Sequence, residues 1–376
     1  MNNTFKSNNF DVIRLLAALQ VAISHTITHL KINYADSVFL TLLEYFPGVP
    51  IFFFISGFLI SKSYENNSHI GDYTRNRVLR LYPALIVCTV IALVSVFVTG
   101  YFDNRSFNVD KFIIWIVGQI SILQFYNPAF MRDFGTGVLN GSLWTITVEI
   151  QFYLVLPVLY WLFGLAKKTN QNWKLAVLIV FFLFFHIAKY QLEAMYANNV
   201  IFKILVVSFI PWIWMFLVGV FFQKNFEYFY SMLSGKFFYL LPLYCLVSYV
   251  TVDVFGWDKG NGINPIAFLL LATTIFSFAY SFTQTSNYLL KGNDFSYGIY
   301  IYHIPVINVL MYFGYLHTSS YLYLVLTVVL LLGVLSWFLV EKPCMKLKKR
   351  QFNTLKDKDN RAKANKLFST KNVLSN

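Results

Sequence analysis

Phe10-Asp-Val-Ile-Arg14-Leu-Leu-Ala-Ala-Leu-Gln-Val-Ala-Ile-Ser-His25 opens an apolar run that continues to position 31 and carries two ionisable side chains inside it. A run of this length and composition predicts a membrane-spanning helix. On such a helix Arg14 and His25 are separated by about three turns, ~20° apart on one face and ~16 Å apart along the axis. An ionisable group within a bilayer is costly and marks a site by default. Two of them on one stripe, one near a surface and one deep, suggest a route from the interface to a reaction centre. The plainer alternative is that Arg14 snorkels and His25 hydrogen-bonds a neighbouring helix.

The whole chain supports a membrane reading. Of its 376 residues 57% are hydrophobic and only 12% charged, about half the charged share of a soluble protein. Apolar runs near the bilayer-spanning length recur along it, and the short alternating segments of a β-barrel are absent. The expected fold class is therefore all-α, a polytopic transmembrane helical bundle. Met1–Asn9 is polar and the following run lacks a small-residue cleavage site, so the first span is expected to be retained. Cys88, Cys245 and Cys344 are far apart and form neither a metal-type spacing nor a disulfide framework. They read as packing residues, and no metal is expected. The net charge of +13 does not point to nucleic acid, because about a third of the 30 Lys and Arg lies at 342–376 and most others flank apolar segments. That is the pattern of topology determinants and of a tail on anionic lipid.

Eleven apolar segments are legible: 10–31, 38–62, 80–99, 111–125, 143–165, 174–189, 201–222, 237–252, 264–282, 297–316 and 320–341. The fourth is short. If it is re-entrant or lies at the surface, Lys6, Lys62, Arg75, Arg77, Arg80, Lys167, Lys168, Lys174, Lys224, Lys236, Lys291 and the tail all fall on one side. The positive-inside rule then selects ten spans with both termini cytoplasmic. Residues 1–345 form the transmembrane domain and 346–376 a basic tail, expected to be disordered or to lie along lipid. No internal repeat or matched pair of broken segments is evident.

Four constellations carry candidate chemistry. Arg14 and His25 are the first. In the fifth segment, Trp144-Thr-Ile-Thr-Val-Glu149, the carboxylate falls at about the depth of His25. A carboxylate and an imidazole at equal depth can act as orienter and general base, or as a structural ion pair. Third, Arg77 and Arg80 sit at i, i+3 in Arg77-Val-Leu-Arg80-Leu-Tyr-Pro83, and forked guanidinium groups suit phosphate as well as marking topology. Fourth, Tyr297-Gly-Ile-Tyr300-Ile-Tyr302-His303-Ile-Pro305 places His303 within the tenth segment and a helix-breaking proline beside it, freeing backbone carbonyls. The three tyrosines can equally form an aromatic belt, and Glu341 can be a solvated interfacial group.

Together these segments resemble the family-three membrane acyltransferases, integral-membrane O-acyltransferases that modify bacterial surface glycans. The resemblance runs from about Phe10 to Pro343. It rests on Asp11-x-x-Arg14 followed by His25, Phe52-Phe-Phe-Ile-Ser56-Gly57, Arg77-x-x-Arg80-Leu-Tyr-Pro83, Ser142-Leu-Trp144 with Glu149, Tyr297-Gly-Ile-Tyr300-x-Tyr302-His303-x-Pro305, and Glu341-x-Pro343. It implies transfer of an acyl group, usually acetyl, from cytosolic acyl-CoA to a hydroxyl of a glycan or lipid-linked glycan such as O-antigen, capsule or exopolysaccharide, in a bacterial inner membrane. His25 would be catalytic with Glu149, and Arg14, Arg77, Arg80 and His303 would bind the acetyl-CoA donor. A separate extracytoplasmic partner stays open. So do a transporter or flippase, and an acyltransferase for a small hydroxylated metabolite.

Overall fold

The computed structural model describes residue 5 and residues 7–34, 37–103, 105–165 and 172–347. Lys6, Lys167, Lys168 and the tail from position 348 lie outside the described residues, and with them that part of the charge pattern. Among the described residues the regular structure is helical, without a strand. In chain order the helices are α1 (Phe10–His29), α2 (Val38–Leu43), α3 (Gly48–Asn66), α4 (Ile70–Val98), α5 (Val109–Gln119), α6 (Trp144–Leu162), α7 (Asn172–Tyr196), α8 (Val200–Val206), α9 (Ile213–Lys224), α10 (Phe226–Leu233), α11 (Phe237–Tyr249), α12 (Pro265–Ser281), α13 (Thr285–Leu290), α14 (Ser296–Tyr312) and α15 (Ser320–Ser336). Among the described residues, seven helical stretches are long and apolar enough to cross a membrane.

Each apolar segment of the sequence contains a helix, with three differences. First, α4 starts at Ile70, not near position 80, because hydropathy marks only its apolar half. Its polar first turns hold helix too, capped by the His69 side chain, which accepts from the Asp72 amide at 3.4 Å. Arg75, Arg77 and Arg80 therefore project from a helix, not from a loop. Second, segments 38–62 and 201–222 are broken, where the sequence reads both as continuous. Pro47 and Pro211 stand in the breaks, each lacking an amide donor and holding its predecessor out of helical geometry. The second break is repaired by Gln151 of α6. Its amide donates to Val207 O at 3.1 Å, and its carbonyl accepts from the Phe209 amide at 2.8 Å. Backbone groups freed at membrane depth need such partners. Third, α5 has only 11 residues, about 16 Å of helix against a hydrocarbon core of about 30 Å.

Three inner helices organise the bundle. α3 and α9 cross with backbones in contact: a Cβ on Gly57 would lie 1.9 Å from Phe216 O, and one on Gly219 2.1 Å from Phe54 O. Small residues at crossings are the membrane route to close packing. α14 is almost wholly enclosed, between α1, α4 and α15. α4, α7, α11 and α15 turn apolar side chains outward, among them Val90, Val94, Val180, Phe184, Leu246 and Leu331, as a lipid-facing shell requires.

Two prolines help to lock this arrangement. Pro305 cannot donate to Ile301 O, four residues back. That carbonyl instead accepts from Asn140 Nδ2 at 2.7 Å and from the Cys88 thiol at 3.2 Å. Pro157 likewise frees Tyr153 O, which accepts from the Tyr73 hydroxyl at 3.0 Å. The freed carbonyls thus tie α14 and α6 to α4.

Candidate active site

A cavity of about 340 Å³ opens where α1, α3, α4, α6 and the start of α14 converge. Arg14, Arg77 and Arg80 all line it, with Asp11, Asp294 and Glu149. Asp294 is the hub. Its Oδ2 accepts from Arg80 at 2.5 Å and from Arg14 at 3.4 Å, and its Oδ1 from the Ser296 amide and hydroxyl at 3.1 and 2.5 Å. Burial works against its charge, but Arg80, Arg14 and Ser296 outweigh that and hold its carboxyl below the usual carboxylate value.

Glu341 joins from behind. A π-type turn at Trp337–Glu341 rotates it inward, where it is 1% exposed. Its Oε1 accepts from Ser336 Oγ at 3.0 Å, and its Oε2 lies 3.6 Å from Arg80. The solvated alternative for Glu341 is thereby excluded. Arg77 differs from the other two arginines. It donates to Ser63 Oγ at 3.0 Å and stacks its guanidinium on the Tyr73 and Tyr153 rings. Its Nε is buried without a hydrogen-bond partner, and among the described residues it forms no ion pair.

Glu149 belongs to this same cavity. Its Oε1 accepts from Ser56 Oγ at 2.9 Å and from the Tyr153 hydroxyl at 2.5 Å. The expected pairing of Glu149 with His25 is not what the structure contains. Depth along two helices fixes one coordinate only, and the azimuth of each helix directs the two side chains to different neighbours.

The partner of His25 is His303. Their Nδ1 and Nε2 atoms are 2.8 Å apart, and His303 Nδ1 lies 2.6 Å from Tyr300 O. A carbonyl only accepts, so His303 carries its proton on Nδ1. With both rings neutral, His303 Nε2 then holds a lone pair, and His25 must donate to it from Nδ1. The lone pair of His25 is left on Nε2. His303 therefore stands behind His25, not among the arginines.

His25 lines a second cavity of about 190 Å³ with Gln20, Ser24, Glu44, Lys259 and Asn261. The two cavities take successive lengths of α1, residues 11–14 and 20–25. Tyr300 connects them chemically. Its ring lines the larger cavity, its hydroxyl bonds Thr145 at 2.6 Å, and its carbonyl holds His303. Tyr297, Tyr300 and Tyr302 are all buried, so they are interior groups and not a belt. Asp294, Ser56, Tyr153, Asn140 and Lys259 carry no role in the sequence reading. Asp294 had a weak signal, a carboxylate at the opening of a span; Lys259, in a loop far along the chain, had none.

The acyltransferase 3 family model, described as an acyltransferase domain, matches residues 7–340. The chain belongs to this acyltransferase family. It is 30% identical over 354 residues to nodulation protein 10 of Rhizobium leguminosarum bv. viciae, covering 91% of this chain and 94% of that one. It is 30% identical over 352 residues to the O-acetyl transferase of Shigella phage Sf6, covering 90% and 96%. A shorter match of 28% over 187 residues, 46% of this chain and 26% of the other, links it to peptidoglycan O-acetyltransferase OatA of Listeria monocytogenes. No solved structure matches. The protein is thus a multi-pass membrane acyltransferase, and the two cavities are its candidate substrate sites.

Proposed function

We propose that this acyltransferase moves an acetyl group from acetyl-CoA, entering the arginine-lined cavity, to a hydroxyl of a glycan or lipid-linked glycan presented at the His25 cavity. The observation that carries the reading is the Tyr300–His303–His25 chain, which leaves the Nε2 lone pair of His25 open beside a cavity next to the arginine cluster. An acetyl donor and a polysaccharide-type acceptor are consistent with the names of the Shigella phage and Listeria relatives.

The chemistry balances without a redox partner. The acceptor O–H gives its proton to His25 Nε2 as its oxygen attacks the thioester carbonyl. The carbon–sulfur bond breaks, an ester forms, and the proton passes to the departing thiolate. His303 fixes the tautomer of His25, much as the third member of a hydrolytic triad does. Arg77, without a carboxylate partner, supplies the free charge for CoA phosphates, and the Asp294-held Arg14 and Arg80 extend the positive surface. Glu149 shapes the donor cavity through Ser56 and Tyr153.

The cation-rich edges of α3 and α4 face the donor end, so cytosolic acetyl-CoA is reached if that end is cytoplasmic. This corresponds to ten spans with both termini inside, in a bacterial inner membrane. A separate extracytoplasmic partner would then meet the His25 end. The test is turnover by protein in lipid nanodiscs given acetyl-CoA and an envelope glycan fraction. The expected result is CoA release matched by acetyl esters on the glycan; esters formed without acetyl-CoA, or CoA never released, would overturn the reading.

A further inference from the structure

The two cavities share a single lining residue, Val49. We infer that Val49 is the acyl-length gate of this enzyme, admitting acetyl and excluding longer straight acyl chains. The inference rests on the acyl-CoA reading above and says which donors that site accepts.

The side chain sits in the first turn of α3 and is 6% exposed. Its surroundings prevent it from yielding. The neighbouring Gly48 presses against α1 so closely that a Cβ there would lie 2.4 Å from Ala17 O. The Gly48 amide also donates to Gln20 Oε1 at 2.8 Å, in a buried hydrogen bond. The backbone at Val49 is therefore pinned to α1 from two directions. One turn on, Phe52 lines the donor cavity and meets the Tyr300 ring edge-to-face, with centroids 5.6 Å apart. An acyl group reaching from the arginine cavity towards His25 meets Val49, and Phe52 and Tyr300 line the donor cavity it leaves. With the thioester carbonyl held at the junction of the two cavities, the acyl tail rests against Val49. Acetyl fits there, and each added methylene must displace a valine whose backbone has no room to move, in an interior that does not deform continuously.

The experiment compares CoA release from acetyl-, propionyl- and butyryl-CoA in nanodiscs with the envelope glycan fraction. Wild type is set beside Val49→Ala and Val49→Leu, and binding of CoA itself reports that each variant is folded. Val49→Ala should raise the butyryl-to-acetyl rate ratio by about tenfold or more, the usual worth of a methylene-sized space. Val49→Leu should lower the propionyl-to-acetyl ratio. Unchanged ratios in both CoA-binding variants would overturn the gate while leaving the acyltransferase reading intact. No CoA release from any donor by wild type would remove that reading, and the gate with it.

Discussion

At the scale of single residues, the separation of charge into paired and unpaired groups makes distinct predictions. Arg77→Ala should raise the KM for acetyl-CoA by about tenfold with kcat little changed, since a charged hydrogen bond to phosphate is worth about 1.5–3 kcal/mol. Asp294→Asn leaves two partly buried guanidinium groups without their shared anion and should cost about 3 kcal/mol of stability. The acid behaviour has a definite sign. The Asp294 carboxyl titrates below its ordinary value of 3.8 when folded. Its contribution is therefore complete above that value and is lost as pH falls through the lower folded value. Thermal-unfolding midpoints should show no loss from this group across the neutral range, and the acid decline should be shallower in Asp294→Asn. Much of the residue-level picture was legible in the sequence. Arg14, Arg77 and Arg80 do line one cavity, while Glu149, expected beside His25, lines it with them. The His25–His303 bond was not legible, because helical spacing orders residues along their own helix and says nothing of which neighbouring helix faces them.

At the scale of elements, the prolines explain why polar side chains occupy the interior. Pro305 advertised a freed carbonyl in the sequence, but not the partner that would satisfy it. Asn140 does so from a loop 161 residues away. Asn140→Ala should cost about 1–3 kcal/mol, the penalty for a buried acceptor left short. Adding Pro305→Ala should recover part of that loss, since the new amide can bond Ile301 O within α14. Melting of the detergent-solubilised single and double variants measures the coupling, and strict additivity would refute the account. The broken segments were hidden for a related reason. Hydropathy stays high through Pro211, and the break is tolerable because Gln151, Trp212 and His186 side chains bond its freed backbone groups. The close crossing of α3 and α9 was equally silent, as Gly57 and Gly219 are unremarkable glycines until their helices meet.

At the scale of the whole molecule, two cavities follow one another along α1, and the proposed function assigns the first to the donor and the second to the acceptor. Composition and charge asymmetry were enough to read a polytopic bundle, because the bilayer dictates helix length and loop charge directly. The division into two chambers was not, since it depends on the tertiary placement of Val49, which lines both.

The proposed base for acyl transfer is His25, held by His303. Its most direct test is label transfer from radiolabelled acetyl-CoA to the envelope glycan fraction, with wild type, His25→Ala and His303→Leu in nanodiscs. His25→Ala should lose about 10²–10⁴-fold in kcat with acetyl-CoA binding retained. His303→Leu should fall in the same direction, with a partial return in His303→Gln, whose amide oxygen can still accept from His25. Full transfer by folded, CoA-binding His25→Ala would contradict it.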